Sequence, residues 1–246
     1  VSAQGLKNVF AIPDIDQQQL VICPEFYTEA NGNTLTVQVT DGKKVVSTKT
    51  CNAVNGANIV LPIKNPKLWS PETPNLYDVK YTVKDASGKV IDEVSSYAGM
   101  RKIHCADGYF YLNNQPYFQR LVLDQGFYPD GIWTAPSDEA LKHDIEMSKA
   151  VGFNGARLHQ KAFEERYYYW ADKLGYICWG EQASWGTNVN NQEATGNFLR
   201  EWTELVVRDR NHPCIVTWTP LNETWGAQAG TYVRFVQDLY NLTKAI

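Results

Sequence analysis

Arg208-Asp209-Arg210-Asn211-His212-Pro213-Cys214-Ile215-Val216-Thr217-Trp218-Thr219-Pro220-Leu221-Asn222-Glu223-Thr224-Trp225 decides how the second half of this chain is read. The stretch reads as a helix end, a proline stop, an apolar strand, and a polar pair where the strand runs out. Pro213 disfavours helical geometry at His212. Ile215, Val216 and Trp218 form strands and carry bulk for a buried sheet, and the strand is expected to run to Leu221. Asn222-Glu223 then places a carboxamide and a carboxylate between two tryptophans at a strand end. Burial there would raise the Glu223 pKa and hold it protonated near neutral pH. For an Asn-Glu pair taken alone, the plainer reading is a strand-end carboxylate bonded to backbone.

Outward from this stretch, strands and helices alternate from Phe118 on. Leu121-Val122-Leu123 is the first strand, ending at Asp124. Ser137 offers an N-cap, with Asp138 and Glu139 in the first helical turn. Ala140, Leu141, Ile145, Met147 and Val151 share one face of that helix. Asp144 falls within their arc, either at its edge or paired. Phe153 to Leu158 is the second strand, ending at His159. Tyr167, Trp170, Ala171 and Leu174 mark the next helix, closed by Gly175. Tyr176 to Trp179 is the third strand, ending near Glu181. Phe198, Trp202, Leu205 and Val206 mark the third helix; Val233, Val236, Leu239 and Tyr240 mark the fourth. Repeated strand-helix units mean parallel strands. Asp124, His159, Glu181, Asn222 and Glu223 all collect where strands end, the face that carries sites in barrels and doubly wound sheets alike. No Gly-x-Gly-x-x-Gly follows a strand, which disfavours a nucleotide-binding sheet.

The first hundred residues read differently. Leu35, Val37 and Val39 alternate with polar neighbours, Asp41-Gly42 marks a hairpin, and Lys44 to Thr50 returns. Ile59 to Ile63, the alternating Tyr77, Val79, Tyr81 and Val83, and Val90 to Tyr97 complete an antiparallel β-sandwich. A further hairpin, turning at Asn113-Asn114, follows. The expected division is a sandwich over 1–104 and a strand-helix domain over 105–246.

Composition narrows the class. Of 246 residues, 43% are hydrophobic and 20% charged, with a net charge of −4, as in a globular protein with no polybasic patch for nucleic acid or anionic lipid. No apolar run is long enough to span a bilayer. Aromatics reach 13%, including 8 Trp and 14 Tyr, which suits stacking on sugar faces as well as core packing. The 5 Cys contain no Cys-x-x-Cys and are odd in number, so neither a zinc site nor a disulfide framework is indicated.

Arg208 to Pro213, Trp218 and Asn222-Glu223 together resemble the segment around the acid/base of glycoside hydrolase family 2, which includes β-galactosidases, β-glucuronidases and β-mannosidases. Leu68-Trp69-Ser70-Pro71-Glu72-Thr73-Pro74-Asn75-Leu76-Tyr77 also resembles that family, in the immunoglobulin-like domain ahead of its barrel; Trp69 is expected to plug the sandwich. The resemblance implies an immunoglobulin-like β-sandwich followed by a partial (β/α)8 TIM barrel of four units, where a whole barrel takes about 250 residues. It implies a retaining β-glycosidase of the β-galactosidase-like group, with Glu223 as acid and then base. The family's nucleophilic glutamate lies after the seventh strand, so the resemblance implies a chain inactive by itself. Glu181 is expected to order the site, and Asn222 to bond the sugar 2-hydroxyl. His159 in Arg157-Leu158-His159 stands one residue short of the family spacing. It reads equally as a sugar contact or a rim residue, and so does Asp124. Arg157 either holds the catalytic glutamates or forms a structural ion pair. Trp225 is either a sugar platform or rim packing.

Some β-galactosidases place magnesium ligands after the third strand; Ala183-Ser184-Trp185-Gly186 offers none here. No metal or cofactor is therefore expected. The partners expected are a carbohydrate and, because strands one and four are open edges, a second copy of the chain. Asn222-Glu223-Thr224 is formally a glycosylation sequon. A glycan there would block the site, which weakly favours a bacterial source and leaves the compartment open. The rival reading is a non-catalytic carbohydrate-binding or interaction module.

Overall fold

The computed structural model describes residues 2–224 and 229–246. The chain divides into two compact units, Val1–Phe118 and Gln119–Ile246. No described helix is long and apolar enough to cross a membrane.

The first unit is a seven-strand immunoglobulin-like sandwich. Strands β1 (Leu6–Asp14), β2 (Gln19–Phe26) and β5 (Ile59–Pro62) form one sheet. Strands β3 (Thr34–Asp41), β4 (Lys44–Asn52), β6 (Tyr77–Lys84) and β7 (Val90–Ala98) form the other, in the order β4-β3-β6-β7. Period-two alternation sends Leu35, Val37 and Val39 from β3 and Val79, Tyr81 and Val83 from β6 into the core, facing Leu20, Ile22 and Leu61. Strands β1 and β2 precede the first strand that periodicity singles out. Trp69 is fully buried, and its backbone N–H donates to Met100 O at 2.9 Å.

A ribbon of β8 (Ile103–Ala106), β9 (Tyr109–Leu112) and β10 (Gln115–Pro116) follows. Its turn is made by Asn113 and Asn114, both left-handed. Asn113 Nδ2 donates to Trp69 O and Tyr117 Oη to Glu72 Oε1. The ribbon thus packs on the sandwich, although the sequence reading assigns it to the second domain.

The second unit is a four-stranded parallel sheet, β11 (Leu121–Asp124), β12 (Gly155–Leu158), β13 (Ile177–Glu181) and β14 (Ile215–Thr219), in sequence order. Helices α1 (Asp138–Ala150), α2 (Glu165–Leu174), α3 (Gln192–Asp209) and α4 (Ala229–Ala245) alternate with the strands. Ser137 caps α1 by accepting from Ala140 N, and left-handed Gly175 closes α2. Lys149 of α1 donates to the carbonyls of Leu174 and Gly175 at that closure.

Two helix faces differ from expectation. On α1 only Leu141 and Ile145 are buried, whereas Met147 and Val151 are exposed. Asp144 is paired, accepting from Tyr128 Oη at 2.8 Å. On α4, Phe235 and Leu239 are buried, whereas Val233, Val236 and Tyr240 are exposed. Among the described residues α4 packs on α3, through Phe198 against Phe235 and a hydrogen bond from Trp202 Nε1 to Thr243 Oγ1, with Trp218 and Leu221 beside the same cluster. A helix covered on only part of its circumference buries a narrower stripe than the full apolar arc of its sequence.

The stretch that opened the reading acts as a clamp. Arg208 donates twice to Asp209 and once to Phe163 O. Asp172 of α2 takes His212 Nδ1 at 2.6 Å on one oxygen and Cys214 N at 2.8 Å on the other. The entry to β14 is thereby tied to α2. Burial lowers the His212 pKa, but the Asp172 hydrogen bond and charge outweigh it, leaving the imidazole above its usual value. Burial pushes the Asp209 carboxyl up, against the pull of Arg208.

Candidate active site

Register sets which side chains reach the same face. Leu123, Arg157 and Trp179 are cross-strand partners, as are Trp179 and Thr217, and Glu181 and Thr219. Partners in a pleated sheet share a face and alternate residues return to it, so Arg157, Trp179 and Glu181 share one face. Ala156 and Leu158, fully buried, take the other. Gly180 has no side chain because Trp218 covers it; a Cβ there would meet the indole ring at 2.7 Å.

At the strand ends this face carries a connected polar cluster. Arg157 Nε and Nη2 donate to Glu181 Oε2 and Oε1 at 2.8 and 3.2 Å, and Nη2 also donates to Asn222 Oδ1 at 2.5 Å. Glu181 has no exposed surface and accepts a third bond from Gln160 N at 3.0 Å. The Arg157 guanidinium thus connects Glu181 to Asn222. Asn222 is buried, and its Nδ2 has no hydrogen-bond partner among the described residues. A buried donor left unpaired costs free energy unless a ligand or water meets it.

Gln160, Ser184 and Trp185 were not singled out by sequence reasoning, yet they build much of the site. Gln160 is left-handed and buried. Its Oε1 accepts from Ser184 N at 2.8 Å and Trp185 N at 3.1 Å, while its Nε2 donates to Ser184 Oγ at 3.1 Å. Ser184 Oγ in turn accepts from Asn222 N at 3.0 Å, and Trp185 Nε1 donates to Asn222 O at 3.1 Å. The one signal available was a carboxamide directly after a strand-end histidine.

Asp124 and His159 lie together at the ends of β11 and β12, joined by a bond from His159 N to Asp124 O at 2.7 Å. Asp124 Oδ1 accepts from Gly126 N at 2.8 Å, and burial pushes its carboxyl up. Lys161 holds the same loop through Gly126 O and Trp133 O. His159 is buried, with Gln125 Nε2 3.1 Å from its Nδ1.

Glu223 departs from expectation. It is exposed, with a left-handed backbone at φ 45°. The expected burial is not met. The reason lies in topology: β14 is an edge strand, without a neighbour on its far side among the described residues. It also ends at Thr219, short of the expected Leu221, so the chain leaves the sheet before reaching Glu223. Trp225 lies outside the described residues. Among the described residues no group of three His, Cys, Asp or Glu side chains is placed to hold a metal ion.

Two family models match the chain. "Glycosyl hydrolases family 2" covers residues 5–101, and "Glycosyl hydrolases family 2, TIM barrel domain" covers 104–246. Over 245 residues the chain is 26% identical to a β-galactosidase of Photobacterium profundum, covering 90% of this chain and 24% of the relative. It is 33% identical over 168 residues to a putative β-glucuronidase of Formosa agariphila, covering 66% of this chain and 20% of that protein. The chain thus spans about a quarter or less of the length of these curated relatives. The fold matches the crystal structure of an FMN-binding β-glucuronidase from Facaelibacterium prausnitzii L2-6, with a TM-score of 0.86 at 23% identity, covering 97% of this chain and 37% of that one.

Proposed function

This chain belongs to the glycosyl hydrolases of family 2, and on that premise we propose that it forms the proton-donating part of a retaining β-glycosidase site acting on terminal β-linked sugars, of the β-galactosidase-like group. Glu223 donates a proton to the leaving oxygen, then accepts one from the water that releases the sugar. Asn222 bonds a sugar hydroxyl through its unpartnered Nδ2. Arg157 and Glu181 hold Asn222 in place. The observation that carries this reading is the Asn222 amide just beyond the fourth strand, buried and unpaired at Nδ2 and tied through Arg157 to Glu181, next to Glu223.

Retaining hydrolysis needs a second carboxylate about 5–5.5 Å from the first. Glu181 accepts three hydrogen bonds and Asp124 holds Gly126, so neither is free to attack an anomeric carbon. The nucleophile therefore comes from outside these residues. By themselves the 246 residues turn over 4-nitrophenyl β-galactoside and β-glucuronide at background rate. Joined to a complete barrel, Glu223→Gln lowers kcat/KM steeply for phenyl glycosides but spares kcat/KM for the 2,4-dinitrophenyl glycoside, whose leaving group needs no proton, while its steady-state turnover slows because the base of the second step is gone. Equal loss on both substrates refutes the acid role. The exposure of Glu223 favours one rival, a carbohydrate-binding module; sugar binding that survives in a complete barrel inert towards every aryl glycoside would establish it.

A further inference from the structure

We propose that Trp185 is a preset platform for the pyranose ring of the glycoside, held in position by Gln160 and Ser184. The proposal rests on the reading of this rim as a glycosidase site, and it names a sugar contact that the sequence motifs did not point to.

Trp185 is 59% exposed, an unfavourable placement for so large an apolar ring. Exposed side chains are ordinarily free to change rotamer, but this one is held at three points. Its backbone N–H is held by Gln160 Oε1, its indole N–H by Asn222 O, and its ring meets His159 edge to face at 5.8 Å. With the indole N–H already engaged, the surface left to solvent is apolar carbon. The anchor is itself rigid: Gln160 is buried, uses both ends of its amide on Ser184 and Trp185, and donates its backbone N–H to Glu181. The ring is thus fixed directly against the Asn222 backbone.

A pyranose presents a patch of C–H groups and, around it, hydroxyls. A fixed apolar ring beside a buried, unpaired amide donor complements both parts. Fixing the ring before binding also removes the rotamer entropy that a mobile tryptophan would lose. Trp185 therefore binds the sugar ring, and Gln160 is a positioning residue that acts through it.

The test uses the whole chain carrying Glu223→Gln, so that binding is read apart from proton transfer. Methyl β-D-galactopyranoside and methyl β-D-glucuronide are titrated while 1H–15N spectra are recorded. With at least one of them the Trp185 indole resonance shifts. Trp185→Ala weakens that binding about fivefold or more, and Trp185→Phe keeps it within about twofold, as expected for one aromatic contact. Gln160→Asn keeps a residue that tolerates left-handed backbone but shortens the arm by one methylene; it weakens binding about threefold or more with Trp185 still present. An unmoved Trp185 indole at the highest sugar concentration, or a folded Trp185→Ala chain that binds like the parent, overturns the proposal. The acid role of Glu223 stands or falls separately, on the leaving-group dependence of a complete barrel.

Discussion

Replacing Arg157 by alanine removes the donors at 2.8 and 3.2 Å from Glu181 and the one at 2.5 Å from Asn222. Glu181 has no exposed surface and would keep a single bond, from Gln160 N. Removing one partner from a buried ion pair costs about 3–5 kcal/mol, because a charge is left without compensation. The Arg157 side chain is 28% exposed, so water reaches part of the gap and the cost falls at the lower end, about 3 kcal/mol. With a urea dependence of about 1.5 kcal/mol per molar, the unfolding midpoint drops by about 2 M. Every tryptophan except Trp69 lies in the second unit, so tryptophan fluorescence follows the unit that contains the pair. Arg157→Met combined with Glu181→Leu removes both charges, and should restore most of the loss, since apolar replacement of a whole buried pair is often neutral or stabilising. A single variant that loses less than about 1 kcal/mol, or a double variant no better than the single, refutes the view that Glu181 depends on Arg157 for its burial.

The pH dependence of stability should carry the mark of His212, whose pKa lies above the ordinary 6.5. Its stabilising contribution is complete below that ordinary value and is lost as pH rises through the raised folded value. Urea midpoints of the parent chain and His212→Asn are therefore furthest apart below pH 6.5 and converge at higher pH; a gap that widens with pH contradicts the pairing with Asp172. Self-association should occur through the edge of β14, beside an apolar groove of about 480 Å³ lined by Trp218, Leu221, Val236 and Tyr240 among others. Light scattering at micromolar concentration should give dimers or larger species, reduced by Val236→Lys; a monomer at that concentration overturns it.

Strand periodicity was enough to read β3 and β6, because each buries one face against a second sheet and so alternates cleanly; β4 and β7 are exposed or half-buried along most of their length and alternate little. β1 is mostly half-buried along its length, with no such alternation. The helices of the second unit were legible in extent and only partly in their buried faces. Of the residues that mark α4, Leu239 is buried whereas Val233, Val236 and Tyr240 are exposed, and Phe235, outside that set, is buried, since which part of an apolar arc is covered depends on the neighbours present. The Arg208–Pro213 motif signalled the family but turned out to be a clamp on β14 rather than chemistry.

By itself, the sequence determined a sandwich followed by a parallel strand-helix fold, and which strand ends carry polar groups, because these follow from local periodicity and from stops such as Pro213 and Gly175. Tertiary structure alone decided that Arg157 links Glu181 to Asn222, that Gln160 reaches across to Ser184 and Trp185, and that Glu223 stands in water. Those outcomes depend on the register between strands and on what lies beyond an edge. A run of residues encodes its own periodicity, but not the neighbour that will remove it from solvent.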